Sequence, residues 1–223
     1  MISVFDCRER EQMLSGMRHA RQAIQRGQVI VMPTDTVYGI AADAFSADAV
    51  QALLDAKGRT RQQPPPVLVS SADTLPALVE QVPEEVSRLV EAFWPGGLTI
   101  VLPSQPSLTW DLGETRGTVA VRQPDNPIAL ELLAETGPLA VSSANLTGRP
   151  AAIDIDSAKG MLGESVAAYL DDGPVRTGVA STIVDATSLV PGRGERAVRI
   201  LRDGAVSRDA LREVLGDLLQ DDA

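Results

Sequence analysis

Val29-Ile-Val-Met-Pro-Thr-Asp-Thr-Val-Tyr-Gly-Ile-Ala-Ala-Asp-Ala44, followed by Ala56-Lys-Gly-Arg59, runs an apolar strand into a polar turn and then toward a pair of cations. Residues 29–32 are all apolar and read as a buried strand bounded by Pro33. Thr34, Asp35 and Thr36 place two hydroxyls and a carboxylate at the strand's C-terminal end, where ligands collect in open α/β sheets. Ser46 suits a helix N-cap and Asp48 its first turn, while Val50, Leu53 and Leu54 recur at helical spacing and form an inward face. Lys57 continues that face. A lysine is rarely buried without a partner, so this one either points into a cleft or compensates the helix dipole, with Gly58 ending the helix.

Working outward, Met13, Met17, Ala20 and Ile24 mark one face of an N-terminal helix that ends near Gly27. Val67-Leu-Val69 is a short strand, helices are expected over 74–79 and 84–93, and Trp94-Pro-Gly-Gly97 turns the chain into a strand over 98–102. Residues 103–117 read as a loop. In Thr118-Val-Ala-Val-Arg122 the period of two displays Thr118, Ala120 and Arg122 together, with both valines on the other face. A helix over 127–135 leads to the strand Leu139-Ala-Val141 and the polar run Ser142-Ser-Ala-Asn-Leu-Thr-Gly148. Strands follow over 167–170, 181–185 and 197–201, and a C-terminal helix spans about 207–219 with Leu211, Val214, Leu215 and Leu218 inward. The alternation gives an α/β class, with one domain over 1–223 and a twisted, mixed parallel and antiparallel sheet flanked by helices.

The composition, 44% hydrophobic and 22% charged, is that of an ordinary globular chain. No apolar run approaches the roughly 18 residues of a membrane span, and the first residues lack the apolar core of a signal peptide, so a cytoplasmic protein without membrane contact is expected. A single cysteine, Cys7, excludes an internal disulfide and a cysteine cluster for zinc, and a reactive role for it is not expected. The net charge of −10 and 3% aromatic content argue against a module held to nucleic acid by broad electrostatic attraction or base stacking, so any RNA contact would be local.

The inventory narrows the chemistry further. His19 is the sole histidine, so Ser-His-Asp and Cys-His catalysis would both rest on it, and metal sites built from His or Cys fail for the same reason. No Walker A pattern occurs, and Gly192-Arg-Gly-Glu-Arg-Ala197 precedes a strand rather than opening a helix. What remains is a set of Lys, Arg, Ser, Thr and Asn near strand ends, suited to reactions in which the protein positions reactants and neutralises charge, as in phosphoryl and nucleotidyl transfer.

Pro33-Thr-Asp-Thr-Val-Tyr-Gly39, Lys57-Gly-Arg59, Thr118-Val-Ala-Val-Arg122, Ser143-Ala-Asn-Leu-Thr-Gly148, Ser181-Thr-Ile-Val-Asp185 and Leu201-Arg202 together resemble the YrdC/TsaC family, the threonylcarbamoyl-AMP synthases, in its single-domain form. The likeness runs from about residue 27 to 204 and implies a YrdC-like fold with a central substrate cleft. It implies an enzyme that joins L-threonine, bicarbonate and ATP into threonylcarbamoyl-AMP with loss of pyrophosphate, for a partner transferase complex that modifies a tRNA adenosine next to the anticodon. By the same resemblance Thr36, Arg122, Val141 and Ser181 would hold threonine; Arg59, Gln63, Thr118, Ser143, Asn145, Ala151 and Arg202 would hold ATP; Lys57 and Arg59 would be catalytic. Mg²⁺ would enter through the ATP phosphates, with no dedicated protein ligands. Three positions depart from the pattern: Gln63 stands where an asparagine is usual, Leu68 where a histidine is, and Asp203 where a proline follows Arg202.

Each residue also has a plainer reading. Thr34, Thr36, Ser142, Ser143 and Asn145 are common turn formers, Arg122 could serve a salt bridge, Ser181 a strand edge and Arg202 the surface. The runs 154–156 and 171–172 read as solvated charge, and Trp94 and Trp110 as packing residues. A non-catalytic RNA-binding or ribosome-associated relative of the same fold is the alternative function, and a carbamoyl-adenylate module of a larger carbamoyltransferase is a further rival.

Overall fold

The computed structural model describes residues 2–175 and 177–220. Its elements are β1 (Val4–Asp6), α1 (Arg10–Gln25), β2 (Ile30–Met32), β3 (Gly39–Asp43), α2 (Ala47–Lys57), β4 (Val67–Leu68), α3 (Leu75–Leu78), α4 (Glu84–Phe93), β5 (Leu98–Pro103) and β6 (Thr118–Arg122). They continue as α5 (Pro127–Thr136), β7 (Leu139–Ser143), α6 (Ile155–Leu162), β8 (Ala168–Asp171), β9 (Thr182–Asp185), β10 (Arg199–Arg202) and α7 (Arg208–Leu215). The strands make one mixed sheet in the order β1-β8-β2-β3-β7-β4-β6-β5-β9-β10. β8 and β2 run parallel, as do β4 and β6, and β5 and β9; β3, β7 and β10 pair antiparallel to their neighbours.

α2 forms where local signals agree. The Ser46 hydroxyl accepts from the Ala49 N–H, and the chain leaves the helix through Gly58 at φ 60°, a left-handed conformation that costs glycine little. Val50, Leu53 and Leu54 are fully buried, each contributing about 1.5–3 kcal/mol of transfer free energy. With Val86 and Leu89 of α4, Leu162 of α6, and Leu211 and Leu215 of α7, they cover one sheet face from Val31 and Ile40 across to Val121, Ile100 and Val184.

The other face is covered only in part. Met17 and Ile24 of α1 and Leu132 and Leu133 of α5 pack on Ile30, Met32, Ala41, Leu139 and Leu170, and this second core stops at Val141 and Leu68. Beyond them, among the described residues, no helix contributes to that core over β6, β5 and β9. The alternation in β6 is as expected: Val119 and Val121 join the first core, and Thr118, Ala120 and Arg122 face the open side. β5 follows suit with Leu98, Ile100 and Leu102 inward and Thr99 and Val101 outward.

Three elements differ from the sequence reading. The stretch after the polar turn is a strand, β3, with five register pairs to β7, so residues 29–44 form a hairpin rather than a strand leading straight to a helix. β1 joins the sheet edge beside β8. Residues 154–156 are not merely solvated charge: Asp154 caps α6 by accepting from the Ser157 N–H at 2.8 Å, and the Ser157 hydroxyl, then that N–H, hold its carboxyl below the usual range. Asp171 and Asp172 are likewise engaged, Asp171 by Tyr38 Oη and the Gly173 N–H, and Asp172 by Asn126 Nδ2. The two tryptophans do pack, Trp94 buried with Nε1 donating to the Leu98 carbonyl and Trp110 stacked on Phe45. Cys7 is buried, and burial and then the neighbouring Asp172 and Asp171 charges push its thiol up to about 12. No described helix is long and apolar enough to cross a membrane.

Candidate active site

The uncovered half of the sheet is the floor of a cavity of about 390 Å³. Its roof comes from residues 64–66 and 112–115, two loops tied by an Arg61–Asp111 ion pair of 2.5 Å and by the Glu114 N–H donating to the Arg61 carbonyl at 2.8 Å. The Thr34–Thr36 turn closes one end. Of the residues singled out in the sequence, Thr36, Arg59, Thr118, Arg122, Val141, Ser143, Ser181 and Arg202 all line this space.

Arg122 is 6% exposed and held on three sides. Its Nε donates to the Gly96 carbonyl at 2.8 Å, Nη1 to Thr36 Oγ1 at 2.9 Å and Nη2 to Asp35 Oδ1 at 2.6 Å. Of its five N–H donors, two are left for a ligand, and the guanidinium cannot rotate to offer them elsewhere. Hydrogen accounting fixes the threonine pair. Thr34 donates to the Val37 carbonyl at 2.6 Å and its oxygen accepts from the Thr36 and Val37 N–H groups at 3.2 Å, so it cannot donate across the 3.1 Å contact to Thr36, whose oxygen, among the described residues, accepts only from Arg122. Thr36 therefore keeps one acceptor lone pair. Thr34 is the turn-forming hydroxyl of the plainer reading, whereas Thr36 and Arg122 combine a structural bond with spare capacity in the cavity.

Arg59 and Arg202 are the other two cations of the lining. Arg59 donates to Ser142 Oγ at 2.7 Å and to Gln63 Oε1 at 3.1 Å, so Gln63 steadies the guanidinium from outside the lining. Arg202 grips the Ser181 carbonyl through Nε and Nη2 and also donates to Ser181 Oγ at 3.0 Å. Burial, and then the charge of Arg202, lowers the pKa of Arg59, and burial alone that of Arg202. Three guanidiniums thus converge in a chain of net charge −10, with Glu114 the lone carboxylate of the lining. Such a site favours an anion strongly.

Lys57, 2% exposed, does not line the cavity. Its ammonium donates to the carbonyls of Ser143 and Asn145, the latter at 2.6 Å, and so clamps the 143–145 turn behind the site. Burial, and then the Arg59 charge, lowers its pKa to about 8. Asn145 is also buried behind the lining, its Nδ2 bound to the Leu146 and Arg149 carbonyls, and Ala151 lies outside it. Leu68 is in the lining, a buried apolar wall beside Arg122 in the β4–β6 register. Sequence reasoning missed Thr99, Thr115, Glu114 and Ser142 as site residues, and left Asp35 without a role. Only Asp35 and Ser142 carried a local signal, being polar residues at strand ends.

Gly204 is where the site is most sensitive to bulk. A Cβ there would lie 2.3 Å from the Ala180 carbonyl oxygen and 2.5 Å from backbone atoms of Ser181 and Thr182, none of which can swing aside. Gly204→Ala is expected to cost about 1–3 kcal/mol in denaturant unfolding and to pull Ser181 and Arg202 out of register together. An unchanged unfolding midpoint would show that the strand entry yields without strain.

Comparison with known proteins yields three findings. The model of the Sua5/YciO/YrdC family, described as telomere recombination, matches residues 22–204. A Mycobacterium leprae protein named "Putative threonylcarbamoyl-AMP synthase" is 52% identical over 97% of this chain and 95% of its own length, and the threonylcarbamoyl-AMP synthase of Bacillus subtilis is 34% identical over 89% of this chain and 56% of its own. The crystal structure of P. abyssi Sua5 complexed with L-threonine superposes with a TM-score of 0.87 at 32% identity, covering 99% of this chain and 62% of that one.

Proposed function

Because the chain belongs to the Sua5/YciO/YrdC family, we propose that it is a cytoplasmic threonylcarbamoyl-AMP synthase, joining L-threonine, bicarbonate and ATP and releasing pyrophosphate. The observation that carries this reading is the convergence of Arg59, Arg122 and Arg202 with the Thr36, Ser143 and Ser181 hydroxyls in one cavity. The relatives named threonylcarbamoyl-AMP synthase and the threonine complex of P. abyssi Sua5 support it.

Each end of the cavity has a task. The two spare N–H donors of Arg122 grip the carboxylate of threonine in a bidentate pair, and the Thr36 lone pair accepts from its amine. The amine captures bicarbonate as a carbamate with loss of water and a proton. A carbamate oxygen then attacks the α-phosphorus as the bond to pyrophosphate breaks, with charge growing on the phosphate oxygens. Arg59 and the free Nη1 of Arg202 meet that charge, while Thr118 and Ser143 orient the nucleotide. Lys57 acts by holding the 143–145 turn that carries Ser143.

Mg²⁺ is proposed to arrive with ATP. The described residues contain no cluster of three or more His, Cys, Asp or Glu able to cage a metal, and the lining offers Glu114 and the Thr115 hydroxyl. That donor set fits a cation bound chiefly by substrate oxygens and water, which would neutralise phosphate charge. The product would pass to a transferase complex that modifies tRNA beside the anticodon, with at most weak tRNA contact by this acidic chain.

The test is pyrophosphate release by the purified protein with ATP and Mg²⁺, with threonine and bicarbonate supplied together and each omitted in turn. Release that requires both is the expected result. Folded protein that binds tRNA in a salt-sensitive way without turnover would instead favour the non-catalytic relative.

A further inference from the structure

Thr99 is a polar side chain in an apolar setting with no role in the mechanism above. It lies on β5 one residue before the Ile100–Val121 pair with β6, is 1% exposed, and turns its hydroxyl to the open side of the sheet within the threonine end of the cavity. Its Oγ1 lies 2.8 Å from Ser181 Oγ, which also accepts from Arg202 Nη2 at 3.0 Å. A buried hydroxyl in a β-strand facing other apolar strands is costly unless bonded, so what its bonds leave over is informative.

The two hydroxyls carry two protons between them. One joins the oxygens, in either direction. If Thr99 donates, the Ser181 oxygen is saturated by Thr99 and Arg202 and its own proton is left over; if Ser181 donates, the Thr99 proton is. No other bond is made by either hydroxyl among the described residues. In both arrangements the pair presents one free O–H to the cavity together with two free lone pairs, both on Thr99 in the first and one on each oxygen in the second. A ligand hydroxyl is the group that can serve as acceptor and donor at once. The carboxylate is taken by Arg122, and the amine by Thr36.

Resting on the synthase reading, we infer that Thr99 is a specificity-determining residue which, paired with Ser181, selects the side-chain hydroxyl of the amino-acid substrate. An analogue without that hydroxyl leaves the pair's proton buried and unbonded, the situation in which sites built to bond a hydroxyl discriminate most sharply. Leu68 and Val141 supply apolar wall nearby but no donor or acceptor side chain.

The experiment compares L-threonine with L-2-aminobutyrate, which has hydrogen in place of the hydroxyl, on the wild type, Thr99→Val, Thr99→Ser and Ser181→Ala. Initial rates of pyrophosphate release are read with ATP, Mg²⁺ and bicarbonate, alongside thermal melting to establish that each variant is folded. Thr99→Val is isosteric and is expected to lower kcat/KM for threonine by about 10–100-fold, mainly through KM, while changing that for 2-aminobutyrate less than about threefold. Thr99→Ser should keep the wild-type ratio within about threefold, and Ser181→Ala should lose it as Thr99→Val does. A Thr99→Val effect that is equal for both amino acids, or absent for both, overturns the inference. If the wild type releases no pyrophosphate with any amino acid, the synthase reading itself fails. Calorimetric binding of the same two amino acids then still decides for Thr99, and equal binding or no binding of either overturns it.

Discussion

Arg122→Lys is expected to lower kcat/KM for L-threonine by about 10²–10⁴-fold while leaving KM for ATP within a few-fold. The range follows from losing two charge-assisted hydrogen bonds to the substrate carboxylate at about 1.5–3 kcal/mol each. Lysine keeps the charge but cannot keep the geometry: three of the arginine's five donors are committed to Gly96, Thr36 and Asp35, and an ammonium has three in all. A lysine here either satisfies the protein and ignores the substrate, or binds the substrate and abandons the half-buried Asp35. Retaining the positive charge limits the structural damage, since removing it altogether would leave the half-buried Asp35 carboxylate with the Asp125 N–H at 3.0 Å but no counter-charge. Steady-state pyrophosphate release, with circular dichroism as the folding control, gives the result. A drop of less than about tenfold would remove Arg122 from carboxylate recognition.

Lys57→Ala should slow turnover by about 10–100-fold without a matching change in threonine KM, and should also destabilise the fold. The stability loss comes from stranding the Ser143 and Asn145 carbonyls, at about 1–3 kcal/mol for each buried group left unpaired. The turnover loss follows because the freed turn carries Ser143. The ammonium leaves a second signature. Its pKa of about 8 in the folded chain lies below the ordinary 10.5, so the unfolded chain binds the extra proton between those two values. Stability therefore rises with pH across about 8 to 10.5, by up to about 3 kcal/mol, and the deficit is fully present below pH 8. Lys57→Met should lose that rise. Urea unfolding of both proteins at pH 7.5 and 9.5 is the measurement, and parallel pH slopes would mean that the lysine is not titrating in that window.

What could be read in the sequence was what local chemistry decides. α2 was legible because Ser46, Asp48 and Gly58 mark its ends and three apolar residues mark its face. β6 was legible because its alternation is complete over five residues. β3 was not: Gly-Ile-Ala-Ala-Asp has little strand character of its own, and it is a strand because β2 and β7 pair with it on both sides. α6 was missed because Asp154 was weighed as charge rather than as a cap. In the site, residues inside recognisable motifs came together as the resemblance implied, whereas Thr99 and Glu114 did not stand out. Thr99 reaches the cavity through the pairing of β5 with β6, and Glu114 through a loop folded back over residue 61. Both are consequences of contacts distant in sequence. Lys57 shows the converse: the motif drew attention to the right side chain, but its direction depended on where two carbonyls of another strand end would lie.

The thiol of Cys7 has a practical consequence for watching the roof of the cavity. Alkylating reagents react with thiolate, and a buried thiol with a pKa of about 12 supplies almost none at neutral pH. The natural chain is thus already a silent background for thiol labelling. A cysteine introduced at the partly exposed positions of Arg61 or Asp111 would take up a maleimide dye alone, so a fluorescence signal from the roof loops can be assigned to one atom without first replacing the native residue.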